Sequence, residues 1–309
     1  VEPDPLTFHL PINAVPQSSD SDELFSTSTS GVDNCPAGSQ RFGDYTVEGY
    51  SRAAVQTYWR IPEMKIGFDL GGHPWDFMGV PTTFVSHTHL DHIAAVASYV
   101  SRRRMMKMSP PRIYLPAAGI GAVRSILSGF SKLDRGRLPC ELIPVAAGDE
   151  IELSRELAVT VHPTQHTITS FGYIVWERRK KLKPEYVGLT GDQIRDIRLQ
   201  GTEVSHETRI PAIAFTGDTS PKGLDNNPDM FRAKTLITEM TFVSPKHRRD
   251  MIHKNGHMHL DDFVRRADQF ENENIICSHY STRYHDDQIR RWVTKAFPDL
   301  LGGRLHLWL

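Results

Sequence analysis

The segment His87-Thr88-His89-Leu90-Asp91-His92 places four side chains able to bind a metal within six residues. Imidazole nitrogens and carboxylate oxygens are ligands for zinc and other borderline cations. An isolated His-x-His is as often a solvated turn as a site, but four ligands in six residues are a stronger pattern. On an extended stretch His87 and His89 point the same way, whereas Asp91 and His92 project from the first turn of a following helix. One segment can then give two ligands to each of two neighbouring cations. His166 would join His87 and His89 at the first, His279 would join Asp91 and His92 at the second, and Asp218 could bridge them. Nitrogen and carboxylate donors without thiolate suit two Zn2+ ions per chain, with Mn2+ or iron as alternatives. His162, four residues before His166, competes with it and is better read as a surface or supporting histidine.

These residues need elements to hold them. Lys65–Phe68 runs into Asp69, Thr83–Ser86 into His87, Ala212–Gly217 into Asp218 and Asn274–Ser278 into His279, while Ala158–Val161 leads by a short turn to His166. Each run is short, apolar and often β-branched, and reads as a buried strand. The loops that follow would lie together at one edge of a sheet, where a rigid scaffold carries function. Helical spacing is found from Asp91 to Arg104, Ala118 to Leu133, Asp261 to Asn272 and Asp286 to Phe297. Strands alternating with helices point to an α+β sandwich of sheets covered by helices. Residues 1–40 include a Ser/Thr/Asp/Gly-rich stretch too polar to offset its ordering entropy and read as a flexible leader; residues 41–309 read as one domain.

Composition narrows the setting. With 36 Lys+Arg against 37 Asp+Glu, the chain is not coated in basic surface, although local patches remain possible. Three widely spaced cysteines build neither a disulfide framework nor a thiolate zinc site, and they fit a reducing, cytoplasmic setting. No apolar run is long enough to span a membrane. The first residue is Val1, so an organelle-targeting peptide already removed is compatible with the sequence. The basic run Arg178, Arg179, Lys180, Lys181 and Lys183 reads either as the charged edge of a strand or as cations beside the site that contact RNA phosphates, and we favour the second.

The ordered set His-x-His-x-Asp-His, His166, Asp218 and His279 resembles the metallo-β-lactamase fold, with Asp69 in Phe68-Asp69-Leu70-Gly71 matching its first, orienting aspartate. That resemblance implies a four-layer αββα sandwich. Within the fold the chain is most similar to the short-form tRNase Z group, from about Tyr45 to Leu309. The similarity rests on Gly188-Leu189 after the basic run, on Thr238-Glu239-Met240-Thr241-Phe242, on Gly256-His257-Met258-His259 and on Ser278-His279-Tyr280-Ser281-Thr282-Arg283-Tyr284. It implies a metal-dependent endoribonuclease that removes 3′ trailers from tRNA precursors, commonly as a homodimer. Asp91, His257 and Glu239 would be its catalytic groups, with His257 protonating the leaving oxygen and Glu239 orienting His257. His259 is expected to be structural. An alternative within the same fold is a hydrolase of small phosphodiesters or lactones. The 52-residue separation of His166 and Asp218 leaves little room for the long protruding arm that grips tRNA in many bacterial relatives, so no long arm is expected.

Overall fold

The computed structural model describes residues 35–309. The expected leader lies outside the described residues except for its last few, and Gly38–Gln40 already belong to the first strand. Seven strands form one sheet in chain order: β1 (Gly38–Phe42), β2 (Tyr45–Arg52), β3 (Gln56–Ile61), β4 (Ile66–Phe68), β5 (Thr82–Phe84), β6 (Arg112–Pro116) and β7 (Glu141–Val145). The next seven form a second sheet, also in order: β8 (Glu150–Glu152), β9 (Leu157–Pro163), β10 (Phe171–Leu182), β11 (Ser205–Phe215), β12 (Thr235–Glu239), β13 (Asn274–Ser278) and β14 (Leu305–Leu307). Each sheet starts with antiparallel hairpins and ends with parallel strands. Hairpins need only short turns, but parallel neighbours need crossovers, and the crossovers supply the helices.

Three apolar cores separate four layers, which is the expected αββα sandwich. Between the sheets lie Trp59, Phe68, Phe84, Tyr173 and Phe215, with the Phe68 and Phe215 rings stacked at 4.9 Å. Val96, Tyr99, Val100, Val123 and Leu127 pack the helices Val96–Met105 and Ile120–Leu133 onto the first sheet. Phe263, Phe270, Ile289 and Val293 join the second sheet to its helices. Among the described residues no helix is long and apolar enough to cross a membrane.

Two helices differ from the sequence reading. The one expected from Asp91 to Arg104 is broken into Leu90–Ile93 and Val96–Met105. The loop after β4 causes the break: Leu70 donates its N–H to the His92 carbonyl at 2.7 Å and accepts from Ala95 N–H at 2.8 Å. Gly71 makes this docking possible, since a Cβ there would lie 1.7 Å from the Asp91 carbonyl oxygen. The helix expected from Asp261 to Asn272 shrinks to Leu260–Val264 and a 3-10 turn, because Arg266 turns away to pair with Asp225 and Asn272 caps the Met230 carbonyl.

The span between His166 and Asp218 also holds a short extension that the sequence reading had not anticipated. Strand β9 pairs with β10 only as far as Glu177, and β12 pairs with β11 only over Ile213–Phe215. Arg178–Leu182 and Ser205–Arg209 therefore continue as a two-stranded ribbon, with the helix Gly191–Leu199 beyond it. The helix is closed by a capping box of Thr190 and Gln193. The sequence concealed the ribbon because strands need few residues to travel far, at about 3.3 Å each.

Candidate metal centre and active site

Asp69, His87, His166, Asp218, Glu239 and His279 all follow or end strands of the sandwich, and the two sheets bring their loops to one rim. Asp69 and His279 hold left-handed backbone at φ 57° and 59°, which costs a non-glycine residue about 1–3 kcal/mol and persists only where surroundings enforce it. For Asp69 the enforcement is visible. Its carboxylate accepts from Ser86 N–H at 2.7 Å and Ser86 Oγ at 2.9 Å, and its own N–H bonds the Phe84 carbonyl at 3.0 Å.

His87, His89 and His166 converge as one group: His89 Nδ1 lies 3.1 Å from both His87 Nε2 and His166 Nε2. Asp91, His92 and His279 form the second, with Asp91 Oδ2 3.7 Å from His92 Nε2 and 3.6 Å from His279 Nε2. Asp218 stands between the groups. Its Oδ2 is 3.4 Å from His92 Nε2 and 3.9 Å from His87 Nε2, and its Oδ1 is 3.4 Å from His279 Nε2. The seven side chains expected as ligands thus lie together in one cluster.

The opposite ring nitrogens are held. His92 Nδ1 bonds Asp69 at 2.7 Å, His166 Nδ1 bonds the Gly256 carbonyl at 2.9 Å, His87 Nδ1 meets Ser86 Oγ at 3.0 Å and His279 Nδ1 meets Thr241 Oγ1 at 3.0 Å. Such partners fix the ring that faces a cation. Asp91 Oδ2 accepts the Ala54 N–H at 2.8 Å.

Electrostatics favour positive charge at the centre. Burial pushes His87 well below its usual value, and burial with the neighbouring imidazoles lowers His89 and His166, so these three are neutral and offer lone pairs. Burial alone would raise Asp218, but His279 and His92 hold it well below the carboxylate range, and the facing His279 and His92 imidazoles bring Asp91 to about 2 despite burial. His92 Nε2 and His279 Nε2 are buried without a hydrogen-bond partner among the described residues. Two orphaned nitrogens turned toward one carboxylate fit a cation, since buried polar atoms otherwise find partners.

Beside the cluster, His257 Nδ1 lies 3.1 Å and 3.3 Å from the two Glu239 oxygens. Glu239 is itself fixed by Thr219 N–H at 2.7 Å, Met258 N–H at 3.2 Å and the Thr241 hydroxyl. Burial would lower His257, yet the Glu239 charge outweighs it and raises the imidazole to about 9. His89, Asp91, His166, Asp218, His257 and His279 open onto one cleft of about 420 Å³, whose rim carries Phe242 and Arg283.

Other expectations sort differently. His162 bonds Thr160 and Asn227 away from the cluster, and His259 is buried as the N-cap of Leu260–Val264. The basic run is not beside the site. Phe171 N–H bonds the Ser86 carbonyl next to His87, but Lys180 is nine residues on, about 30 Å along the strand. Arg178 pairs with Glu152 at 3.0 Å and Arg179 with Glu177 at 2.6 Å, while Lys180 and Lys181 are exposed. Thr241 and Ala54 were missed. Thr241 left a signal, since Glu239 and Thr241 are two apart and extended residues at that spacing share a face; a backbone N–H such as that of Ala54 leaves none.

Residues 72–280 match the family model described as a beta-lactamase superfamily domain. The chain is 36% identical over 267 residues to "tRNase Z TRZ1" of Arabidopsis thaliana, covering 84% of this chain and 94% of the relative. It is 35% identical over 253 residues to "tRNase Z TRZ2, chloroplastic" of the same plant, covering 81% of this chain and 72% of that one. Among solved structures, the metallo-beta-lactamase fold protein YhfI from Bacillus subtilis aligns with a TM-score of 0.55 at 16% identity, over 84% of this chain and 92% of that one, a likeness of fold.

Proposed function

We propose that this chain, which belongs to the tRNase Z family of the beta-lactamase superfamily, is a metal-dependent endoribonuclease that cuts 3′ trailers from tRNA precursors. The observation that carries the reading is Asp218 set between two ligand groups, with orphaned His92 and His279 nitrogens facing it and a proton-bearing His257 alongside. His87, His89 and His166 would hold one cation, Asp91, His92 and His279 a second, with Asp218 shared. The nitrogen and oxygen donors fit zinc, with manganese or iron as substitutes. Two such cations supply an attacking hydroxide at neutral pH and positive charge against the non-bridging phosphate oxygens.

The residues of the chain do the rest. Glu239 occupies His257 Nδ1, so the proton for the substrate sits on Nε2. As a new P–O bond forms, the bond from phosphorus to O3′ breaks and His257 gives its proton to O3′. The products are a 3′-hydroxyl on the tRNA and a 5′-phosphate on the trailer. The ribbon and its lysines Lys180, Lys181 and Lys183 would contact tRNA far from the cut, with Arg178 and Arg179 bracing the ribbon's root. Ile126, Phe130 and Leu133 expose one apolar stripe on the helix Ile120–Leu133, which fits pairing with a second copy. The free cysteines Cys35, Cys140 and Cys277 support work in a reducing compartment such as the cytoplasm.

The test is to incubate the protein with a tRNA precursor bearing a 3′ trailer and map the product ends. A cut after the discriminator nucleotide, leaving a 3′-hydroxyl, is expected. Uncut precursor alongside hydrolysis of a chromogenic phosphodiester would instead assign a small-molecule substrate.

A further inference from the structure

A second cleft, of about 840 Å³, opens behind the wall of the metal centre, between residues 220–225 and residues 250–269. Gln165 and Lys254 line it, while their chain neighbours His166 and Asn255 line the first cleft. The partition is thin. Gly256, at φ 70°, presses so closely on the other strand of the wall that a Cβ there would lie 2.5 Å from His166 Cα.

The charges of this cleft do not cancel. Its carboxylates are all engaged: Asp225 takes both arms of the Arg266 guanidinium at 2.6 Å, Asp250 pairs with Arg248 at 2.6 Å, and Asp262 accepts from His253 at 2.9 Å and from the His259 N–H at 2.8 Å. The side chains of Lys222, Lys254 and Arg265 are exposed and have no ion-pair or hydrogen-bond partner among the described residues. In a chain of net charge −1, three uncompensated cations in one cleft mark a local site for a polyanion.

We infer that this cleft binds backbone phosphates of the RNA strand on the 5′ side of the cut, an inference that rests on the ribonuclease reading. The leaving O3′ belongs to the nucleotide 5′ of the scissile phosphate, and it must lie at His257 to receive a proton. His257 is three residues from Lys254, within about 11 Å even at full extension. The strand leading back from O3′ therefore crosses the partition at Lys254–Gly256 and meets Lys222, Lys254 and Arg265 beyond it. These cations are positioning residues, since none reaches the reacting atoms.

The combined variant Lys222→Ala/Lys254→Ala/Arg265→Ala should raise KM for tRNA precursor about tenfold at moderate salt, with kcat retained. It should also flatten the dependence of log(1/KM) on log salt by about two to three, because each lost phosphate contact removes roughly 0.7–0.9. Unchanged KM and slope in a variant that still cuts precursor would overturn the inference and leave the ribonuclease reading intact. A wild-type protein that hydrolyses bis(p-nitrophenyl) phosphate yet leaves precursor whole would overturn the ribonuclease reading itself. Loss of the chromogenic activity in the triple variant would point to damage at the metal centre and also count against the cleft. Precursor with its trailer cut to one nucleotide decides the side: a defect that persists supports the 5′ strand, and one that vanishes places the trailer in the cleft and overturns the assignment.

Discussion

From Phe171 to Glu177, strand β10 lies between β9 and β11 and is buried along most of its length, whereas from Arg178 to Leu182 it has β11 as its single neighbour and its side chains stand largely in water. The first stretch reaches the metal centre through Phe171 and carries Tyr173, whose hydroxyl bonds the Val85 carbonyl at 2.7 Å and so ties the two sheets together just before His87. The second is held by Arg178 and Arg179 ion pairs and by one strand. Chemistry needs atoms placed to a few tenths of an ångström, and a sandwich packed on both faces supplies that. Reach needs only a ribbon that extends. Perturbing the two ends should therefore separate turnover from substrate capture.

The largest break is expected at the rim. Asp91→Ala removes a carboxylate that we propose as a ligand beside His92 and His279 and frees the Ala54 N–H, so bound metal should fall by about one ion per chain and precursor cutting should vanish. Metal content by elemental analysis, beside a cleavage assay, checks this. Retained turnover in that variant would break the two-cation arrangement. His257→Ala should lower kcat by about 10²–10⁴-fold with metal content unchanged. Lost metal there would recast His257 as a ligand, which its proximity to His166 and Asp218 makes a fair test.

A smaller effect follows from Glu239. It raises His257 to about 9, so the imidazole is charged below that pH and neutral above it; if His257 is the proton donor, as we propose, kcat should fall on the alkaline side. Glu239→Gln removes the charge that opposes burial and should move the alkaline limb toward lower pH, as a pH–rate profile would reveal. A limb that stays in place would separate His257 from the proton transfer. At the other end of the hairpin, replacing residues 183–204 with a short turn should raise KM for precursor by about tenfold or more and leave hydrolysis of a chromogenic diester unaltered, since no residue of that stretch lines the active cleft.

The same contrast explains what was legible in the sequence. The cluster was readable because histidines and aspartates are chemically marked and these sit just past apolar runs, so residue type and strand pattern point to one edge. The helix after His92 misled because its break is caused by Leu70 and Gly71, residues remote in sequence that dock their backbone into it. The ribbon misled for a different reason. Arg178 to Lys183 looks like any charged surface, and whether a strand ends at its sheet or runs past it depends on where β9 and β12 stop. The place of Lys180, about 30 Å along the strand from Phe171, follows from that register and from no local feature of the run.

Within the basic run the structure divides residues that the sequence treats alike, and the smallest predicted effect turns on that division. Arg178 is mostly covered, bonding the Ser154 carbonyl at 2.7 Å and Glu152 at 3.0 Å, so it ties the ribbon's root to the loop before β9. Glu152 is largely exposed and its share is screened, which leaves most of the worth of Arg178 in the carbonyl bond, about 1 kcal/mol. Arg178→Ala should lower the thermal midpoint by roughly 2–4 °C, as expected for a domain of this size. Lys180→Ala/Lys181→Ala should leave the midpoint unmoved, raise KM for precursor a few-fold and reduce its salt slope, because those side chains are exposed and make no side-chain hydrogen bond or ion pair among the described residues. Thermal melts and salt-dependent KM on both variants measure the two effects separately. If the lysine variant melts early and keeps its KM, the ribbon is a brace rather than a reach, and the division between the ends of β10 fails at its outer end.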